Sequence, residues 1–208
     1  MIPLFVDCSG KQIVIFGGGE VAARKAERFS QEADVLLVSR SFSKKCTDLA
    51  VHVQELDVST VADDVIENII GQAFLVIAAL SDTLQNNRIR HLCRKKQILF
   101  NNADGEKGDV VIPATTSGRH YILAISTHGD SPAMSRFLRQ QIETRYPSLD
   151  AMIELQTKLR ERLKTTNISQ AQRSAILWQV LNDHDIWNVL RHSPEDAWSE
   201  VERGYLHD

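Results

Sequence analysis

The sequence is short of cysteine, of aromatic residues and of any surplus of positive charge, and each shortage removes a class of function. Cys8, Cys46 and Cys93 are the only cysteines, and they are far apart with no Cys-x-x-Cys pair. Such a set builds neither a disulfide framework nor a zinc knuckle, and it suits a reducing cytoplasm. Lys and Arg number 24 against 27 Asp and Glu, for a formal net charge of −3. A general nucleic-acid binder carries the opposite balance, so nucleic acid is not expected as a partner. The longest apolar run, Ala73 to Leu80, falls far short of the ~20 residues of a membrane helix, so no membrane partner is expected either. The opening residues, Met1 to Gly10, have no basic region and no small-residue cleavage site, and are not read as a secretion signal. His52, His91, His120, His184, His192 and His207 show no metal-ligand spacing, and no resident metal is expected.

What is present is enough for one ordinary domain or two small ones: 208 residues, 43% hydrophobic and 25% charged. Residues 12–101 alternate between strand and helix. Gln12–Phe16, Val35–Val38, Val51–Val53, Phe74–Ala79 and Ile98–Phe100 read as strands. Between them, 20–31, 43–50, 58–70 and 82–96 read as helices, the last capped by Ser81 or Asp82. The continuous apolar run at 74–79 suits a strand covered on both faces. Repeated βα units of this kind predict a parallel sheet with helices on both sides. After a polar loop at 101–109 the texture changes. Val110–Ile112 and Tyr121–Ile125 read as strands around a turn at Ser117-Gly118. Ser131 is an N-cap candidate and Pro132 fits the first position of a helix. Met134, Phe137, Leu138 and Ile142 form the stripe of that helix. From Ser148 the chain is helical, with Met152, Leu155, Leu159 and Leu163 on one face and Trp178, Trp187 and Trp198 expected in the core. The plan is three parts: 1–113, 114–147 and 148–208.

Gly17-Gly18-Gly19-Glu20-Val21-Ala22 fits G-x-G-x-x-A directly after a strand and at a helix start. The first glycine permits a tight turn and the second lets backbone approach a pyrophosphate. The small Ala22 lets helix and strand close together, while the helix N-terminus offers free N–H donors. This is the pattern of dinucleotide binding. The acidic residue expected about 20 residues on, to bond the ribose of NAD, is missing. Arg40 stands there instead, available to a 2′-phosphate or simply solvated. Asp104 lies in the polar loop at the carboxyl end of the sheet, where it is either a surface-turn residue or an ionised proton or metal acceptor. The segment Ser126-Thr127-His128-Gly129-Asp130-Ser131-Pro132 joins a strand to a helix. It is either an N-cap turn or an anion site built from hydroxyls and backbone N–H groups.

Taken in order, Pro3-Leu4-Phe5, the glycine run through Arg24-Lys25, Ala78-Ala79-x-Ser81-Asp82, Asn101-x-x-Asp104 and Ser126-Thr127-x-Gly129-x-Ser131-Pro132 resemble the precorrin-2 dehydrogenase/sirohydrochlorin ferrochelatase family, the N-terminal module of sirohaem synthases. The resemblance covers residues 3 to about 146. It implies a Rossmann-type parallel α/β domain, a small αβ dimerisation segment and an α-helical C-terminal region, assembled as a homodimer. It implies oxidation of precorrin-2 to sirohydrochlorin with NAD as hydride acceptor, and in bifunctional members insertion of Fe2+ as substrate. It places the catalytic aspartate at Asp104 and cofactor contacts at Gly17, Gly18, Gly19, Glu20, Val21, Ala22, Ser41 and Phe42. The phosphate- and substrate-associated loop falls on Ser126, Thr127, His128 and Ser131. For a substrate rimmed with carboxylates, Arg24, Lys25, Arg119, Arg136 and Arg139 gain a purpose as charge-assisted partners. His128-Gly129 stands where many members have two glycines.

Two other readings remain open from sequence. One is a dehydrogenase that leaves metal insertion to a separate chelatase. The other is a dinucleotide-sensing module without turnover. A short-chain reductase is disfavoured because Tyr121 and Tyr146 are followed at +4 by Ile125 and Asp150, not lysine.

Overall fold

The structure is a computed structural model and describes residues 1–103 and 107–206. Chain contacts divide it into two compact units, Met1–Ile112 and Pro113–Asp208.

In the first unit the strands are β1 (Gln12–Phe16), β2 (Asp34–Ser39), β3 (His52–Glu55), β4 (Leu75–Ala78) and β5 (Leu99–Asn102). The helices are α1 (Glu20–Phe29), the short α2 (Lys44–Thr47), α3 (Asp63–Ile70) and α4 (Thr83–Lys95). All strand pairs are parallel and the sheet runs β3-β2-β1-β4-β5. Alternation along the strands divides the core. Val14, Phe16, Val38, Val76 and Phe100 face Ile66, Ile70 and Ile89 of α3 and α4. Ile13, Ile15, Leu37 and Ile77 face Ala22, Ala23 and Ala26 of α1. The inner strands β1, β2 and β4 are thus covered on both faces, which is why they read as hydrophobic runs, whereas the edge strand β3, His-Val-Gln-Glu, is largely exposed. The strand order reverses between β1, which is followed by β2 on one side, and β4 on the other. In open α/β sheets the crevice at this reversal, beyond the carboxyl ends of the strands, is where ligands bind.

Two expectations for this unit are corrected. The helix read over 58–70 is a 3₁₀ turn, Val58–Thr60, followed by α3. Asp57 caps that turn by accepting the Ser59 N–H at 2.9 Å, and Val61 and Ala62 are extended, so the helix cannot start before Asp63. Val110–Ile112 is not a strand. The Val110 and Ile112 side chains cover the α1 face of the core, and the Val110 N–H donates to the Phe100 carbonyl at 3.0 Å.

In the second unit β6 (Ala114–Ser117) and β7 (Ile122–Ile125) form an antiparallel pair, followed by α5 (Pro132–Arg145). Ser131 caps α5 as expected, accepting the Met134 N–H at 3.2 Å. Next come α6 (Leu149–Lys164), α7 (Gln170–Asn182), α8 (His184–Leu190) and α9 (Pro194–Tyr205). Met152, Leu155, Leu159 and Leu163 pack as the sequence periodicity requires, with Val180, Leu190 and Val201. Asp183 ends α7, caps α8 and accepts the Tyr205 hydroxyl at 2.6 Å, fastening α9. Trp187 and Trp198 pack on this core, but Trp178 is 64% exposed, contrary to expectation. The inward positions of α7 are taken by Ile176, Leu177, Val180 and Leu181 instead. The stripe of α5 is likewise uncovered, with Met134, Phe137 and Leu138 all exposed.

His128 has φ +56, a left-handed conformation that costs a side chain about 1–2 kcal/mol and glycine almost nothing. His128→Gly is therefore expected to raise stability by about 0.5–1 kcal/mol, read as a higher midpoint in urea. An unchanged or lower midpoint shows that the imidazole makes up for its backbone.

Candidate nucleotide-binding site

The turn from β1 into α1 is the tightest place in the first unit. Gly17 has φ +139, and a Cβ there would lie 2.6 Å from the Ala79 carbonyl oxygen. A Cβ on Gly18 would lie 1.9 Å from the Ser41 carbonyl oxygen. The turn is thus pinched between the segments that leave β4 and β2, and only glycine fits. The Gly18 carbonyl accepts the Ser43 N–H at 2.7 Å and the Cys46 thiol at 3.3 Å, which holds the turn from behind. Gly19 is different: a Cβ there meets nothing within 4 Å, so this side of the turn is open. As N-cap of α1 it supplies no side-chain acceptor, leaving first-turn N–H donors for an anion. Ala22, fully buried, lets α1 close on the sheet.

These glycines form one wall of a cavity of about 380 Å³ at the carboxyl ends of the strands. Ser39, Arg40 and Ser41 after β2, Leu56 to Ser59 after β3, and Ala79 to Asp82 after β4 complete it. The residues present fit a dinucleotide: a glycine cradle, a helix start without a side-chain cap, and a crevice at the sheet's reversal. Of the expected cofactor residues, Gly17, Gly18, Gly19 and Ser41 line the cavity. Glu20 pairs with Lys45 on the outer side of α1, Val21 is exposed, and Phe42 packs against the α1 face of the core. Asn86 was not singled out from sequence. It is buried, accepting the Leu80 N–H at 3.2 Å and donating to the Leu80 carbonyl at 2.9 Å. It thereby fixes the rim after β4. Its only signal was a polar residue on the inward face of a helix.

The remaining candidates fall in separate places. Lys25 on α1 donates to Asn101 Oδ1 at 3.0 Å, and Asn101 Nδ2 donates to the Val110 carbonyl at 2.8 Å. This relay ties α1 to both sides of the loop 102–109. Asp104 lies in that loop, outside the described residues. Burial first, then the neighbouring Arg24 and Arg28, push the Lys25 ammonium down to about 8. Arg24 lines a shallow outer groove with Glu20, Glu27 and Lys45. In the second unit Thr127 accepts the Ser131 N–H at 3.2 Å, donates to the Ser131 carbonyl at 2.9 Å, and meets Ser135 Oγ at 3.1 Å. Ser126 accepts the His128 N–H at 3.2 Å. The serine-threonine loop is therefore a self-bonded cap of α5. Arg119 is engaged by Glu154 at 2.6 Å and Arg139 by Glu143 at 2.7 Å. Arg136 is exposed and has no ion-pair partner among the described residues. No group of three or more potential metal ligands occurs among the described residues, and no described helix is long and apolar enough to cross a membrane.

The parallel sheet, the glycine turn and the crevice define an NAD(P)-binding Rossmann domain, and residues 4–114 match the NAD(P)-binding family model NAD_binding_7. Over 209 aligned residues the chain is 41% identical to the precorrin-2 dehydrogenase of Methanosarcina barkeri, covering 98% of this chain and 92% of that protein. The chain belongs to the precorrin-2 dehydrogenase family. The solved structure of SirC, a precorrin-2 dehydrogenase, shares the fold with a TM-score of 0.69 at 21% identity, over 98% of this chain and 100% of that one. A sirohaem synthase of Photorhabdus laumondii is 28% identical over 97% of this chain, which spans 43% of that longer protein.

The depressed Lys25 ammonium gives a prediction. Between pH 8 and 10.5 the unfolded chain holds this proton and the folded chain has released it, so stability rises with pH through that window. Below pH 8 burial of the charge counts in full against folding. Lys25→Met should flatten this segment of the stability–pH curve, measured by urea unfolding at a series of pH values. An identical slope in the variant would show that Lys25 is fully hydrated.

Proposed function

We propose that the protein oxidises precorrin-2 to sirohydrochlorin with NAD+ and then inserts Fe2+ into the product. The observation that carries the first step is a glycine-cradled crevice in a chain that matches a precorrin-2 dehydrogenase over nearly its whole length. Gly17, Gly18 and Gly19 would hold the dinucleotide, which would supply the acceptor for a hydride from a C–H of the reduced macrocycle. A proton must also leave the ring system, and Asp104 takes it as general base. In metal insertion the same carboxylate receives one of the two pyrrole protons that Fe2+ displaces.

The substrate's carboxylates are met by the cations. Arg24 and Arg136 have no carboxylate partner among the described residues and are free to bind one. Arg119 and Arg139 must exchange Glu154 and Glu143 for a substrate carboxylate, a trade of like for like that gains little. Arg24 and Arg136 therefore contribute most to affinity. In the Ser126–Ser131 loop the Ser126 and Ser131 hydroxyls accept backbone N–H groups, so each keeps its own hydrogen to donate to a further anionic arm.

The protein works as a homodimer in the cytoplasm. Among residues 114–147 only Ser135 is buried, while Ile122, Met134, Phe137 and Leu138 are 40–55% exposed. A β-pair and helix that bury so little within one chain need a second surface to cover them.

Anaerobic incubation with precorrin-2 and NAD+ is expected to give NADH together with sirohydrochlorin. Asp104→Asn should slow this by roughly 10²–10⁴-fold, with nucleotide affinity unchanged. Absence of NADH overturns the reading. Sirohydrochlorin and Fe2+ without NAD+ test the second step, and insertion at the uncatalysed rate leaves dehydrogenation alone. For assembly, Phe137→Asp is expected to convert a dimer to a monomer in analytical ultracentrifugation. A monomeric parent protein contradicts the dimer.

A further inference from the structure

We propose that the crevice takes the 2′-phosphorylated dinucleotide NADP as well as NAD, with Arg40 holding the additional phosphate. This deepens the cofactor side of the proposed oxidation and rests on that reading only for its physiological purpose.

Selectivity for NAD over NADP is commonly built from a carboxylate at the end of the second strand, which bonds the adenosine ribose diol and repels a phosphate there. In this chain β2 ends at Ser39 and is followed by Arg40 and Ser41, all three lining the cavity. The cavity's two lining carboxylates follow other strands, and each already accepts hydrogen bonds through its Oδ1. Asp82, beyond β4, caps α4 by accepting the Leu84 N–H at 2.8 Å and the Gln85 N–H at 3.4 Å. Asp57, beyond β3, accepts the Ser59 N–H at 2.9 Å and the Ser59 hydroxyl at 2.6 Å through the same oxygen. Neither belongs to the segment after β2, and Asp57, which attracts Arg40, is the one that can oppose a phosphate held there.

Arg40 is exposed and makes no hydrogen bond or ion pair with the described residues. It attracts Asp57, whose carboxyl is held below the usual carboxylate range by Ser59 first and by Arg40 last. A guanidinium that is always charged, and not bound to a carboxylate, is suited to a phosphate dianion, which it can grip through two N–H groups. The Ser41 hydroxyl beside it offers a further donor. Asp57 works against the same phosphate by partial neutralisation of Arg40, so the two side chains set the ratio of the cofactors between them.

Isothermal titration of the full chain, without any tetrapyrrole, separates this from the oxidation itself. NADP+ is expected to bind at least as tightly as NAD+, and adenosine 2′-monophosphate more tightly than adenosine 5′-monophosphate at low salt. Arg40→Glu should raise the NADP-to-NAD ratio of dissociation constants by roughly 10–100-fold. Arg40→Lys should recover part of that loss, and Asp57→Asn should lower the ratio below that of the parent. NADP+ binding more than tenfold weaker than NAD+ in the parent, or a ratio unmoved by Arg40→Glu, overturns the proposal. Because no substrate is present, failure of the precorrin-2 reaction would leave this result standing, and the reverse holds too.

Discussion

One steric constraint governs the nucleotide crevice: the backbone at Gly18 approaches the Ser41 carbonyl so closely that a single methyl group would not fit. That approach brings the turn after β1 against the segment after β2. The neighbouring pinch between Gly17 and Ala79 does the same on the β4 side. The crevice is therefore shaped by backbone meeting backbone, and its walls are held by three strands at once. Side chains enter afterwards. Cys46 and Ser43 brace the turn from behind, and Asn86 braces the rim after β4. A ligand entering such a site meets preformed donors and pays little for ordering them.

Legibility from sequence followed how local the determining physics was. The glycine run, Ala22, Ser131 and Pro132 were readable because a turn, a close contact and a helix cap each depend on a few adjacent residues. The inner strands β1, β2 and β4 were readable because burial on both faces leaves apolar runs. The split of 58–70 was missed because apolar spacing continues across Val61, while the cap at Asp57 and the extended backbone at Val61 and Ala62 interrupt the helix. Val110–Ile112 has strand composition, but no neighbouring strand offers it a ladder. It serves as cover for the core instead. Trp178 was misplaced because α7 has more apolar residues than one face can bury, and only packing decides which is left out.

The charged candidates were the least legible. Lys25 and Arg24 are adjacent in sequence, yet one is drawn inward to Asn101 and the other stays on the outer face. That difference is one of helical angle relative to a neighbour 76 residues away. Arg119, Arg136 and Arg139 look alike in sequence but divide into two that are matched by glutamates and one that is not. Composition counts such residues equally, whereas the energy available from each depends on the partner it must first release.

The central position of β1 also has a kinetic meaning. Ile13 pairs with Val35 on one side and Leu75 on the other, so the glycine turn becomes a binding surface only once both pairings exist. The second closes a loop much longer than the first, and long-range parallel pairing is among the slower events in folding. Affinity for dinucleotide is thus acquired when the sheet is complete, and bound nucleotide draws the late-folding half of the sheet toward its native arrangement by mass action.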